Sequence, residues 1–234
     1  MKKFFKWAAL SIVGLLVVAV AGFLIWTQFT YGPTDEATQY AEEGKVVDNR
    51  LEFGDTTSEI GIILYPGAKV EKEAYAYYGT RLAEEGYFVA IPSLRLNLGI
   101  LDIDAADPII EAHPEIERWV VAGHSLGGSA ASGYALEHQE AVEGVIFLAS
   151  YPISSMVDSD LRVLSISGEL DGLAVPEDIE ASRSDLPDDS QFVQIEGGNH
   201  ANFGMYGPQK GDQESPLTSK EQLDEVLSAI LEWL

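Results

Sequence analysis

Val120-Val121-Ala122-Gly123-His124-Ser125-Leu126-Gly127-Gly128 is the stretch that decides the fold. Trp119 to Ala122 is a short apolar run suited to a buried strand. Gly128 to Leu136 is dense in small residues (Ser129, Ala130, Ala131, Ser132, Gly133, Ala135) and reads as a helix packed close to its neighbours. Between them stands Gly-x-Ser-x-Gly. A serine at the tip of so sharp a strand-to-helix turn has strained backbone angles and an exposed hydroxyl. Gly123 and Gly127 suit it because a Cβ at either place would meet the neighbouring chain. The start of the helix adds unpaired N–H groups and partial positive charge where an oxyanion would form.

Working outward, the pattern repeats. Ile60–Tyr65 (IGIILY), Tyr87–Ile91, Val142–Ala149, Val163–Ser167 and Phe192–Ile195 are apolar runs of strand length. Helical spacing falls between them, at Glu71–Glu85, Asp102–Ala112, Pro176–Ser184 and Thr218–Trp233. Val46–Phe53 reads as one further strand, and Thr34 with Asp35 and Glu36 as the start of a short helix ending at Gly44. Alternating strands and helices predict an α/β fold: a doubly wound, mostly parallel sheet with right-handed crossovers and helices on both faces.

The N-terminal end differs. After a basic start (Lys2, Lys3, Lys6), Trp7–Trp26 runs without a charge: WAALSIVGLLVVAVAGFLIW. About 20 residues span a hydrocarbon core as a helix, and tryptophans at both ends suit the two interfaces. The lysines hold the N-terminus in the cytoplasm and put the rest outside. Ala19-Val20-Ala21 offers a cleavage site for a signal peptide, and a secreted product is the alternative. Continuation of the apolar run through Trp26 favours the anchor. The organisation expected is therefore an anchor at 1–26, a spacer at 27–44 and a globular domain at 45–234.

The chain carries a net charge of −24 with no cysteine. Beyond the three N-terminal lysines it has eleven basic against 38 acidic residues, a net of −27. That argues against a nucleic-acid partner, since phosphate needs a basic face. It fits a strongly solvated surface, and the lack of cysteine excludes disulfides and thiolate metal sites.

A serine hydroxyl needs a base, and the base an orienting acid. Of four histidines, His113 precedes a proline and reads as surface. His124 sits inside the turn, with its side chain pointing away from that of Ser125. His138 lies on a polar helix end. His200 sits in Glu196-Gly197-Gly198-Asn199-His200, straight after the last strand, at the edge where a doubly wound sheet places its site. Val163–Ser167 leads into Gly168-Glu169-Leu170-Asp171-Gly172, so Asp171 and Glu169 are both candidates for the acid.

The order Ser125, Asp171, His200 is similar to that of the α/β-hydrolase superfamily. From Ile60 to Leu234 the chain resembles its compact, dienelactone-hydrolase-related members, on YPG after the first central strand, GHSLGG, GELDGLAVP and GGNHANFG. The resemblance implies Ser125 as nucleophile, His200 as base and Asp171 as orienting acid. It implies an oxyanion hole of the Leu126 and Ala68 N–H groups. Pro66-Gly67 stands where many lipases have His-Gly, so Lys69 could donate instead of Ala68. Dienelactone hydrolases use a cysteine, absent here, so their substrate does not transfer. The activity implied is that of a carboxylesterase-like serine hydrolase on a small-molecule ester, with no cofactor and no metal. Arg95 and Asn97, like Lys69, are candidate substrate contacts. Only Ser150–Leu161 is available for a lid, which predicts an open site suited to water-soluble short-chain esters. The alternative from another class is a catalytically silent, membrane-tethered binding module on the same scaffold.

Overall fold

A computed structural model describes residues 2–234; Met1, the first residue of the expected anchor range, lies outside the described residues. Helix α1 (Lys2–Thr27) contains the long apolar run, and apart from its last residue its described side chains are exposed. Phe4–Thr27 is long and apolar enough to cross a membrane, as a span or as a signal sequence. Helix α2 (Asp35–Glu43) follows, with the Thr34 side chain accepting the Ala37 N–H at 3.2 Å as its N-cap.

The strands are β1 (Lys45–Val47), β2 (Arg50–Phe53), β3 (Ile60–Tyr65), β4 (Phe88–Pro92), β5 (Arg118–His124), β6 (Gly144–Leu148), β7 (Arg162–Gly168) and β8 (Gln191–Ile195). They form one eight-stranded sheet in the order β1-β2-β4-β3-β5-β6-β7-β8. From β4 through β8 all pairings are parallel; β1–β2 and β2–β4 are antiparallel. The helices α3 (Ala76–Glu84), α4 (Asp107–Ala112), α5 (Leu126–Glu137), α6 (Pro176–Ser182) and α7 (Ser219–Trp233) supply the crossovers and the final cover. The chain is thus an α/β protein with a mostly parallel, doubly wound sheet.

Side-chain alternation explains the two cores. On β3, Ile62 and Leu64 point to one face, where they join Tyr78 and Leu82 of α3 and Leu223, Val226 and Ile230 of α7. Ile63 and Tyr65 point to the other, with Ile109 of α4 and Ala130, Ala131 and Tyr134 of α5. Every residue of β3 is buried, as its unbroken apolar run requires. The sheet ends on polar or short strands: β1 has three residues, and β8 exposes Gln191 and Gln194.

Local departures from the sequence reading have identifiable causes. The expected strand 46–53 is a hairpin, because Asp48 turns the chain at φ 50° between β1 and β2. The helix expected from Asp102 divides into a 3₁₀ turn at Ile103–Ala106 and α4, where Pro108 sits in the first turn and fits only there. The segment expected as a helix from Glu71 begins with a 3₁₀ turn at Lys72–Tyr75. His113 is buried, not on the surface: its Nε2 lies 3.0 Å from Glu52 Oε1, and its ring packs on Phe88. At the other end α7 has a full capping box, Thr218 with Glu221.

Candidate active site

Ser125 sits between β5 and α5 at φ 52°, ψ −127°, a region that costs a non-glycine residue about 1–3 kcal/mol. The surroundings hold it there. Its N–H donates to the Leu148 carbonyl (3.0 Å), and its carbonyl accepts the Ser150 hydroxyl (2.6 Å). A Cβ on Gly123 would meet Gly127 C and Gly128 N at 2.4 Å, and one on Gly127 would meet the Tyr65 and Pro66 carbonyl oxygens at 2.4 Å. The two glycines therefore let β3, β5 and α5 converge on the turn.

His200 and Asp171 reach the same place from β8 and β7. The His200 Nδ1–H donates to Asp171 Oδ2 at 2.8 Å, and both side chains are buried. Asp171 Oδ1 accepts the N–H groups of Leu173 (2.8 Å) and Ala174 (2.7 Å), so both carboxylate oxygens are fixed. With Nδ1 donating, Nε2 carries the lone pair; it is buried and has no protein partner among the described residues. Ser125 and His200 line one cavity of about 180 Å³, together with Leu126, Ser129, Ser150, Tyr151 and Leu173. Among the described residues no hydrogen bond joins the Ser125 hydroxyl to His200 Nε2. Catalytic pairs of this type are often loose until substrate binds.

Glu169 goes elsewhere: it is exposed, and its Oε2 accepts the Gly197 N–H at 2.8 Å. Leu126 is the first residue of α5, so its N–H has no acceptor within the helix. The Ala68 N–H likewise has no protein acceptor among the described residues, whereas the Lys69 N–H donates to the Asn97 carbonyl at 2.7 Å. The Lys69 N–H is thus already engaged in this structure, and that of Ala68 is not. Its side chain lies over the Trp26 ring, 4.2 Å from the centroid. Arg95 pairs with Asp102 at 3.2 Å, and Asn97 is engaged through its carbonyl. None of Lys69, Arg95 and Asn97 lines the cavity that holds Ser125.

Three further residues support the site: His124, within the turn motif, and Tyr75 and Asp212, which no sequence signal marks. The Gly67 N–H donates to the Tyr75 hydroxyl (3.0 Å), which donates in turn to His124 Nδ1 (2.8 Å). This ties the loop after β3 to the turn. Burial, with His200 beside it, holds the His124 imidazole well below its usual pKa, so His124 is neutral. The third is Asp212. One of its oxygens accepts the Gly172 N–H (3.0 Å) and the other the Ala201 N–H (2.8 Å), linking the Asp171 loop to the His200 loop. Among the described residues no three His, Cys, Asp or Glu side chains converge as metal ligands.

Residues 61–224 match the model of a family described as the alpha/beta hydrolase family. The chain belongs to the alpha/beta hydrolase family. Solved structures agree on the fold. One is an esterase from Thermogutta terrifontis (14% identity, 82% of this chain and 96% of that one, TM-score 0.61). Another comes from work on carboxylesterases of Nitrososphaera gargenis (13%, 80% and 97%, 0.59). A third, assigned as a dienelactone hydrolase, is from Klebsiella pneumoniae (17%, 79% and 91%, 0.57). A comparison with curated protein sequences gives no match. Membership of the alpha/beta hydrolase family supports a hydrolytic activity, while the solved structures, at 13–17% identity, speak to the fold.

Proposed function

We propose that this hydrolase cleaves an ester or related acyl bond through an acyl-enzyme on Ser125, with His200 as base and Asp171 as its orienting acid. The observation that carries the reading is the contact of His200 Nδ1 with Asp171, at 2.8 Å. The Asp171 carboxylate can only accept, so the 2.8 Å contact places the ring proton on Nδ1 and leaves Nε2 free in the cavity that Ser125 shares.

Ser125 Oγ attacks the substrate carbonyl carbon as its proton passes to His200 Nε2. The negative charge that develops on the carbonyl oxygen is met by the Leu126 and Ala68 N–H groups. As the tetrahedral centre collapses, the bond to the alkoxide oxygen breaks and His200 returns the proton to the leaving alcohol. Water then attacks the acyl carbonyl with His200 again as base, which restores Ser125 and releases the acid. The esterases among the structural neighbours support an ester as substrate. A silent binding module would have no use for the strained backbone of Ser125 or for an unpaired imidazole nitrogen beside it.

We further propose that α1 anchors the enzyme in a membrane, with the N-terminus cytoplasmic and the domain 45–234 outside, joined by a spacer at 27–44. The charge-free length of α1 and its exposed apolar side chains support this.

A fluorophosphonate probe on the full chain tests the chemistry. Wild-type protein should label at Ser125 and turn over simple esters, and Ser125→Ala should do neither while remaining folded. Labelling of the Ser125→Ala variant at an undiminished rate would end the proposal.

A further inference from the structure

The spacer after α1 does not hang free. The Tyr31 N–H donates to the Lys69 carbonyl (2.7 Å), and the Glu71 N–H donates to the Tyr31 carbonyl (3.0 Å). Tyr31 and Val70 thereby form a parallel bridge. The Thr30 hydroxyl donates to Glu71 Oε1 at 2.7 Å, Thr27 is fully buried, and Lys69 sits on the Trp26 ring. Lys69 and Val70 directly follow the Pro66–Ala68 loop beside Ser125. Trp26 to Tyr31 is five residues, a reach of at most about 18 Å even when fully extended. The end of the apolar helix is therefore pinned beside the mouth of the site, and the described side chains of the rest of the helix are exposed.

Of the large apolar side chains exposed outside α1, Phe29 lies in the spacer, Val46 on β1 and Val157 before β7, and the other five gather at this same edge of the sheet. Ile100 and Leu101 lie on the loop after β4, Tyr151 and Ile153 after β6, and Leu173 after β7. Tyr151 and Leu173 line the catalytic cavity. Ile153 reaches Gly133 of α5, and the Ile100 loop packs by Gly99 on Gly127 and Ala130. In a domain (45–234) of 34 acidic and 11 basic residues, net charge −23, apolar side chains gathered on one edge, around one cavity and next to one tether call for a common cause.

We infer that the catalytic mouth faces the bilayer: the rim of Ile100, Leu101, Tyr151, Ile153 and Leu173 rests in the membrane interface, and the substrate is an amphiphilic ester drawn from that membrane. This rests on the anchor reading of α1. A cavity of about 180 Å³ takes in the short group at the scissile bond, while the lipophilic remainder of the substrate stays in the bilayer. An uncovered site suits a membrane pressed against it as well as it suits water. The rim supplies apolar contact, and α1 supplies the proximity that makes weak contact sufficient.

The absence of cysteine makes the test direct. Full-length protein carrying one cysteine at Ile100 or Ile153, or as controls at Glu85 or Glu140 on the opposite edge of the sheet, is labelled with an environment-sensitive fluorophore. It is then reconstituted in phosphatidylcholine vesicles containing some lipid spin-labelled at the headgroup. Rim reporters should shift to the blue and be quenched by the spin label, and control reporters should keep their aqueous emission. Carbonate extraction of the same vesicles reads the anchor separately. Release of the protein by carbonate would remove the anchor reading and this one with it. Protein that stays in the vesicles with rim reporters still aqueous would overturn the membrane-facing mouth alone. Rim reporters shifted but unquenched would mean that a second copy of the chain covers them, and would overturn it too. In turnover, Ile100→Asp with Ile153→Asp should slow cleavage of an acetate ester of a long-chain alcohol in the vesicles about tenfold. Cleavage of a water-soluble acetate ester by that variant should be unchanged, and equal loss on both substrates would also refute the inference.

Discussion

Replacing Asp171 by asparagine is a sharp test because each carboxylate oxygen has a fixed task. Oδ1 accepts two backbone N–H groups at 2.8 and 2.7 Å, and Oδ2 accepts the His200 Nδ1–H at 2.8 Å, all in a fully buried position. Asparagine keeps one acceptor and brings an NH₂ in place of the other. If its oxygen faced His200, the NH₂ would confront the Leu173 and Ala174 N–H groups, leaving three donors without an acceptor at a cost of several kcal/mol. The amide will therefore keep its oxygen on the backbone and aim its NH₂ at His200 Nδ1. That contact requires a lone pair on Nδ1 and moves the ring proton to Nε2, the atom that must accept from Ser125. The fold stays intact and the base is lost. Loss of the correct tautomer costs roughly four decades of turnover in enzymes of this mechanism, equivalent to about 5–6 kcal/mol in the barrier. Glu169→Gln touches only a part-buried contact to the Gly197 N–H, which the amide oxygen can still accept, and should cost about threefold or less in turnover with at most about 1 kcal/mol of stability. The assay is turnover of one short acetate ester by both variants, each first shown to melt cooperatively. An Asp171→Asn enzyme within tenfold of wild type, or a Glu169→Gln enzyme crippled by decades, would refute the reasoning.

Asp212→Asn should lower kcat by about ten- to a hundredfold with KM little changed, because it loosens the link between the Gly172 and Ala201 loops without meeting substrate. The rate of fluorophosphonate labelling should fall in parallel, and unchanged labelling would show that Asp212 serves stability alone. His124 predicts an acid-sensitive fold. Its folded pKa is depressed by burial, so the neutral imidazole contributes stability above the unfolded value of about 6.5, and this is lost as pH falls toward the folded value, by at most about 1.4 kcal/mol per pH unit. Melting curves between pH 7.5 and 5 should show a shallower acid limb for His124→Asn than for wild type; equal slopes would mean that His124 takes up no extra proton on unfolding.

The sequence by itself determined whatever is local or periodic. Strand-length apolar runs alternating with helical spacing give a mostly parallel doubly wound sheet. Two glycines around Ser125 give the strained turn, because no side chain fits between β5 and the start of α5. A charge-free run from Trp7 to Trp26 gives a helix long enough to cross a bilayer. Each of these follows from residues within a few positions of one another. What depends on residues far apart in the chain was left to the tertiary structure. Asp171 and Glu169 are both candidates from the residues alone and only the family resemblance points to Asp171; the contact itself arises because β7 and β8 lie in a register that puts Asp171 against His200 and turns Glu169 toward Gly197. His113 reads as surface until β2 places Glu52 beneath it. Ala68 and Lys69 differ as donors only because the Asn97 carbonyl arrives from the loop after β4. Asp212 and Tyr75 belong to no motif, since their partners are the backbone N–H groups of distant loops, and a backbone group has no signature in sequence. The apolar side chains around the cavity are single, unremarkable residues along the chain; the parallel strand order gathers them on one edge, beside the helix that ends there.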